Sequence, residues 1–178
     1  MTDLDLTLPE AGDVVELILD DHHRFEELLR DLRDSTSDRA AVRAVFATLH
    51  VAHAEAEEHE VYPTLRNDDA ITKGEEQHGE KEHAEGNQAL LAVLEADDLQ
   101  SEEFDDLVEK LAEKVNHHLT EEELTILNPA REEVDEDERK RLGAAFVKAR
   151  NALIEDDCGA VENVRAIVAE AQEKGLLD

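Results

Sequence analysis

The chain has little aromatic character: no Trp, one Tyr and four Phe in 178 residues. Sheet cores draw on aromatic and β-branched side chains, so a β fold is the poorer expectation. Ala, Leu, Val and Glu dominate, and they suit helices. A single cysteine, Cys158, excludes an internal disulfide. No apolar run approaches the ~20 residues that span a bilayer. The opening MTDLDLTLPE carries no apolar signal-peptide core. A soluble cytoplasmic chain is the expectation. Positive charge is also scarce, with 18 Lys plus Arg against 48 Asp plus Glu and a formal net charge of -30. Such a field repels nucleic acid and anionic membranes, so neither is expected as a partner.

What is present is a series of amphipathic stripes. Residues 1 to about 10 read as a loose lead-in. The first stripe is Val14, Ile18, Phe25, Leu29 and Leu32, with His22 filling its gap. The neighbouring His23 lies about 100° round the helix and faces solvent. Ser35 to Asp38 suits a turn and cap. A second stripe, Val42, Phe46 and Leu49, continues into His53 and Glu57 and stops at Tyr62-Pro63. His50 and His59 lie off its centre. A third helix carries His83 ahead of Leu90 and Val93 or Leu94, with His78 out of phase at five residues' distance. After Asp97-Asp98, Ser101 opens a fourth, with Leu107, Leu111, Val115, His118, Glu122 and Ile126 in line and His117 turned away. Pro129 ends or kinks it. The remainder, Leu142 to Leu153 and Val161 to Ala171, reads as two further amphipathic helices without histidine. They pack either on the bundle or on a second subunit, which would make a homodimer. A chain of this length buries about 70% of its unfolded surface. The reading divides it into a four-helix bundle over 10–130 and a helical extension over 131–178.

His53-x-x-x-Glu57 and His118-x-x-x-Glu122 each place an imidazole and a carboxylate one turn apart on one face. A lone histidine in an apolar stripe is most often a satisfied core residue. Four of them, His22, His53, His83 and His118, with two in-line glutamates, are a different case. Burying two ionised carboxylates without strong partners costs several kcal/mol each. Metal cations are the natural partners. Zinc prefers four ligands in a tetrahedron, whereas six inward ligands with carboxylates able to bridge suit two ions of the iron or manganese type. The Glu-x-x-His pairs of ferritin-like di-iron bundles occur only in the third helix, as Glu75/His78 and Glu80/His83, which disfavours that class.

The segments ILDDHHRFEELL, HAEAEEHEVYP, EKEHAEGNQALL and HHLTEEELTILNP resemble the hemerythrin-like, or HHE, domain, in order over roughly residues 14 to 130. The resemblance implies an all-α, up-down-up-down four-helix bundle, and the apolar stripes beyond it add two C-terminal helices. It also implies two non-haem irons bridged by an oxo or hydroxo species and two carboxylates. By that match His22 and His53 serve one iron, His83 and His118 the other, and Glu57 and Glu122 bridge. The oxygen-carrying hemerythrins have two histidines one turn apart on the third helix and a final His-x-x-x-x-Asp. This chain is similar to the four-histidine variants, which leave more metal positions open. The functions implied are binding of O2, NO or peroxide for sensing, storage or detoxification, or an enzyme with catalase- or peroxidase-like activity. An acidic helical interaction module without metal is the third reading. The charge imbalance itself makes a prediction. At 0.01 M salt the Debye length is about 30 Å, so self-repulsion is poorly screened. The melting temperature should rise as monovalent salt is added, and a flat salt series would contradict this.

Overall fold

The structure, a computed structural model, describes residues 4–178. It is all-helical, and no strand forms among the described residues. Helix α1 (Val14–Arg33) starts where the Asp13 carboxylate accepts from Val15 N–H at 3.0 Å. Helix α2 (Arg39–Ala56) starts on Asp38 in the same way. Helix α2 runs through a π-helical turn (Glu57–Val61) into α3 (Tyr62–Asn67). Helix α4 (Lys73–Glu95) opens on a capping box between Thr72 and Glu75. Helix α5 (Glu102–Glu122), capped by Ser101, likewise passes through a π-helical turn (Glu123–Leu127) into α6 (Asn128–Glu133). Helices α7 (Glu136–Glu155) and α8 (Val161–Glu173) complete the chain.

Neither Pro63 nor Pro129 stops its helix, contrary to the reading of Tyr62-Pro63 as an end. Both prolines sit in the first turn after a π-helical turn. There the ring meets a widened stretch of backbone and its missing N–H is tolerated. The extra residue also resets the phase, so that Glu57, Val61, Tyr62 and Leu65 all stay buried.

Helices α1, α2, α4 and α5 form a ring in which each packs on the next. Contacts fix the directions. Arg39 reaches back to Arg33 while His53 meets Asp21, so α1 and α2 are antiparallel. Arg43 meets Val93 while Glu58 meets His83, so α2 and α4 are antiparallel as well. The same holds for α4 with α5, and for α5 with α1. The buried apolar residues fall into two clusters, one around Phe25, Phe46, Leu90, Phe104 and Leu111, the other around Ile18, Val61, Tyr62, Ile126 and Phe146. Between them lies a polar layer at mid-bundle. In α5 the stripe begins on Phe104 and Val108, and Leu107 is only half-buried. No helix among the described residues is long and apolar enough to cross a membrane.

The C-terminal helices lie on the bundle. Helix α7 packs across α1 and α2, burying Leu142, Phe146 and Val147, and α8 packs on α4 through Val164, Val168 and Ala171. The lead-in is held too. Arg150 Nη1 donates to the Thr7 carbonyl at 3.1 Å and Asn151 Nδ2 to that of Pro9 at 2.8 Å. Its first three residues lie outside those described. At the α7–α8 corner, Gly159 presses on the Thr48 backbone so closely that any Cβ would overlap it. Cys158 beside it donates its S–H to Thr48 O at 3.3 Å. We expect Gly159→Ala to cost about 2 kcal/mol through this overpacking, read as a lower urea midpoint. An unchanged midpoint would show that the corner yields freely.

Candidate metal centre

The polar layer is made of the in-line residues. His22 on α1, His53 on α2, His83 on α4 and His118 on α5 are all buried, and Glu57 and Glu122 are 0% and 1% exposed. Glu57 opens the first π-helical turn and Glu122 immediately precedes the second. Their carboxylates lie between the two hairpins. Glu57 Oε1 is 3.1 Å from His53 Nε2, and its Oε2 is 3.1 Å from His83 Nε2. Glu122 Oε2 is 3.1 Å from His22 Nε2 and 3.6 Å from His118 Nε2. Each carboxylate therefore spans one imidazole from each hairpin. Donor atoms of His22, His53, Glu57 and Glu122 lie within 4.8 Å of one another, and so do those of Glu57, His83 and His118. These overlapping groups share Glu57.

The far side of every imidazole is held by a further carboxylate. His53 Nδ1 meets Asp21 at 3.0 Å and His118 Nδ1 meets Glu82 at 2.9 Å, each within its own hairpin. His83 Nδ1 meets Glu58 at 2.8 Å and His22 Nδ1 meets Glu123 at 2.9 Å, each across to the other hairpin. A carboxylate only accepts, so each Nδ1 carries the proton and each Nε2 faces inward. Paired carboxylates of this kind orient metal-binding histidines and raise their basicity. Reasoning from the sequence missed these four. Their signal was adjacency, because each stands next to an in-line residue: Asp21-His22, Glu57-Glu58, Glu82-His83 and Glu122-Glu123.

Tyr62, taken from the sequence as a helix end, also enters the layer. Its hydroxyl donates to Glu122 Oε1 at 2.8 Å and lies 3.4 Å from Glu57 Oε2. Its ring stacks on His83 at 5.7 Å and 7°. A Cβ at position 79 would come within 2.9 Å of that ring, so glycine is what lets Tyr62 in. Burial, reinforced by the charges of Glu122 and Glu57, holds the phenol well above its usual pKa, so it stays a donor.

The remaining histidines stay outside the layer. His23 is exposed, and the His59 side chain is 69% exposed. His78 and His117 are largely exposed and turn their Nε2 atoms toward Glu82 Oε1, at 3.3 and 3.2 Å. His50 is buried but separate. Burial, reinforced by the neighbouring histidines, lowers it to about 3, and its Nδ1–H donates to Asn87 Oδ1 at 3.1 Å.

The donor set fits a cation. Burial pulls His53 down, but Glu57 and Asp21 outweigh it and push it up to about 10. Burial likewise disfavours charge on His83 and His22, yet their carboxylate neighbours raise both. Glu57 is driven well below the usual carboxylate range because His53 and His83 outweigh its burial. Without a metal, protons on the imidazoles supply the positive charge that the carboxylates require. Yet His53 Nε2, Glu57 Oε1 and His118 Nε2 are buried with no hydrogen-bond partner. His53 Nε2 and Glu57 Oε1 approach to 3.1 Å without the alignment of a hydrogen bond, as two ligands aimed at one ion do.

Comparison with known proteins agrees with this chemistry. Residues 13–130 match the family model of the hemerythrin HHE cation binding domain. The chain is similar to a protein described as a DNA nickase from Nostoc sp., with 27% identity over 143 residues that cover 79% of this chain and 40% of that protein. The chain thus spans about two-fifths of that relative's length. No solved structure matches. With most of its length matched and its histidines and glutamates grouped where a cation could be held, the chain belongs to the hemerythrin HHE cation-binding domain family.

Proposed function

We propose that this chain is a non-haem di-iron protein that binds O2 or a related small oxidant, NO or peroxide. One observation supports this most. Glu57 and Glu122 each lie between an imidazole of one hairpin and an imidazole of the other. A single tetrahedral zinc needs four ligands and leaves two of the six unused. In this reading His22 and His53 would hold one iron and His83 and His118 the other, with Glu57 and Glu122 as ligands shared between them. When bound, the irons supply redox chemistry and Lewis acidity toward a small oxidant.

The chain's own residues do the rest. Asp21, Glu58, Glu82 and Glu123 fix the tautomer of each imidazole and keep its Nε2 lone pair inward. Phe25 and Phe146 meet the His53 ring edge-on at 5.1 and 5.9 Å and close that side with apolar surface. Tyr62 orients Glu122 through its hydroxyl and offers the layer its one neutral phenol proton.

A second reading, turnover of peroxide, is favoured by the absence of a fifth inward imidazole among the described residues. Of the further histidines, His78 and His117 face Glu82 and the buried His50 pairs with Asn87. Two imidazoles and shared carboxylates leave each metal open positions. Rapid oxidation of the reduced protein by O2 and measurable peroxide consumption would follow. The description of the Nostoc relative as a DNA nickase raises strand cleavage as a reaction to assay, but a net charge of -30 opposes DNA binding.

Loaded anaerobically, the protein should hold about two irons per chain. His53→Ala, His118→Ala, Glu57→Ala and Glu122→Ala should each lose most of the iron, while His23→Ala and His59→Ala keep it. One tight zinc and no iron uptake would overturn the reading. A stable, reversible oxygenated spectrum without peroxide turnover would reject only the second reading.

The metal-free protein should also show a particular pH profile. His53 is raised from the unfolded imidazole value of about 6.5 to about 10. Its contribution to stability is therefore complete below pH ~6.5 and lost as pH rises through about 10. Asp21 and Glu57, both lowered, contribute above the ordinary carboxylate range and lose that contribution in acid. The melting temperature of metal-free protein should fall between pH 7 and pH 10, and iron should suppress that fall. Equal melting temperatures of the metal-free protein across this interval would contradict the assignment.

A further inference from the structure

The layer is built twice, once by each hairpin, and only the first half has a buried permanent cation paired with an outer carboxylate. We propose that Arg150, from outside the four-helix bundle, makes the two metal positions unequal by sharing the charge of Asp21, so that the iron at His22 and His53 is the more easily reduced. This rests on the di-iron reading above.

The four outer carboxylates differ in burial and in the charge beside them. Glu123 is 46% exposed, and Glu58 is 29% exposed. Glu82 is 8% exposed, with the surface imidazoles of His78 and His117 on its free oxygen. Asp21, 7% exposed, is met by a buried guanidinium in a two-pronged pair. Arg150 Nε donates to Oδ2 at 2.8 Å and Nη2 to Oδ1 at 2.7 Å. Arg150 itself is 3% exposed. Asp21 Oδ2 therefore receives both the Arg150 Nε–H and the His53 Nδ1–H. Neither Glu58 nor Glu82, the carboxylates behind His83 and His118, forms an ion pair with lysine or arginine among the described residues.

The physical consequence follows from charge. An outer carboxylate strengthens a metal-bound imidazole as a donor in proportion to the negative charge it can direct at Nδ1–H. A guanidinium does not deprotonate, so its claim on Asp21 is permanent. Away from water such a charge is weakly screened. The position at His22 and His53 thus lies in less negative surroundings than the one at His83 and His118, and these favour Fe(II) over Fe(III). One electron from a chemical reductant converts one Fe(III) to Fe(II), and that electron settles beside His53. A pair that only fastened α7 to α1 would give neither iron a preference.

The test is an anaerobic reductive titration of the iron-loaded full chain, followed by near-ultraviolet absorption and by the paramagnetic signal of the half-reduced state. The wild type should take up two electrons in separate steps. R150M should bring the steps together, lowering the population of the half-reduced state at least tenfold, and R150K should keep most of the separation. D21N leaves the guanidinium facing His53 without its anion, so the steps should move further apart. E82Q, on the other half, should narrow them. Charge sharing thus gives R150M and D21N opposite signs. Loosening of the fold gives both the same sign, and that result would overturn the proposal. If R150M does not fold, R150K, D21N and E82Q decide by the same signs. A wild type that holds two irons and reduces in one unsplit step sinks this inference and leaves the di-iron reading standing. A wild type that takes no iron sinks the di-iron reading itself.

Discussion

Two carboxylates are buried between two apolar clusters, and most of this structure is arranged around that fact. Glu57 and Glu122 cannot be left there as bare anions, because removing a carboxylate from water costs several kcal/mol even after relaxation. Four imidazoles meet them, four outer carboxylates hold the imidazoles, and a phenol donates to one of the pair. Each partner exists because the previous one needs it. Such a network is stable only when every member is satisfied, and three of its unsatisfied atoms, His53 Nε2, Glu57 Oε1 and His118 Nε2, are turned toward the place where a cation fits, while a fourth, Glu82 Oε1, faces the surface imidazoles of His78 and His117.

The backbone supports this through the two π-helical turns. A regular helix carries successive side chains round by about 100°, so neighbouring glutamates leave a common face. The widened turns begin at Glu57 and just after Glu122, where two adjacent residues both have work to do. Glu57 and Glu122 point between the hairpins, while Glu58 and Glu123 reach across to His83 and His22. The same turns admit Pro63 and Pro129 without ending the helix and bring Tyr62 inward. Widened turns of this kind often mark functional sites in helices, and here the reason is geometric.

The helices beyond the family match are part of the same arrangement. Phe146 on α7 walls one side of His53, and Arg150 one turn later pairs with Asp21 behind it. Arg150 and Asn151 also hold the lead-in through the carbonyls of Thr7 and Pro9. The C-terminal segment, which reads as packing alone, therefore touches the polar layer through Phe146 and backs it through Arg150.

Much of the fold was legible from period and punctuation. Apolar spacing, the cap at Ser101, the capping cluster that ends in Asp38, and the phase of His22, His53, His83 and His118 depend on local helix geometry, which a sequence states directly. The same phase argument separates His23 and His117, which face outward, from their inward neighbours. What tertiary structure alone decided is whatever joins residues far apart in the chain. Glu58 to His83, Glu123 to His22 and Arg150 to Asp21 are contacts between helices, and no period within one helix announces them. The π-helical turns belong to the same class. A proline after an acidic run reads locally as a stop, and the helix passes through it because burying Tyr62, Leu65 and Ile126 against the other helices outweighs the local cost of widening one turn.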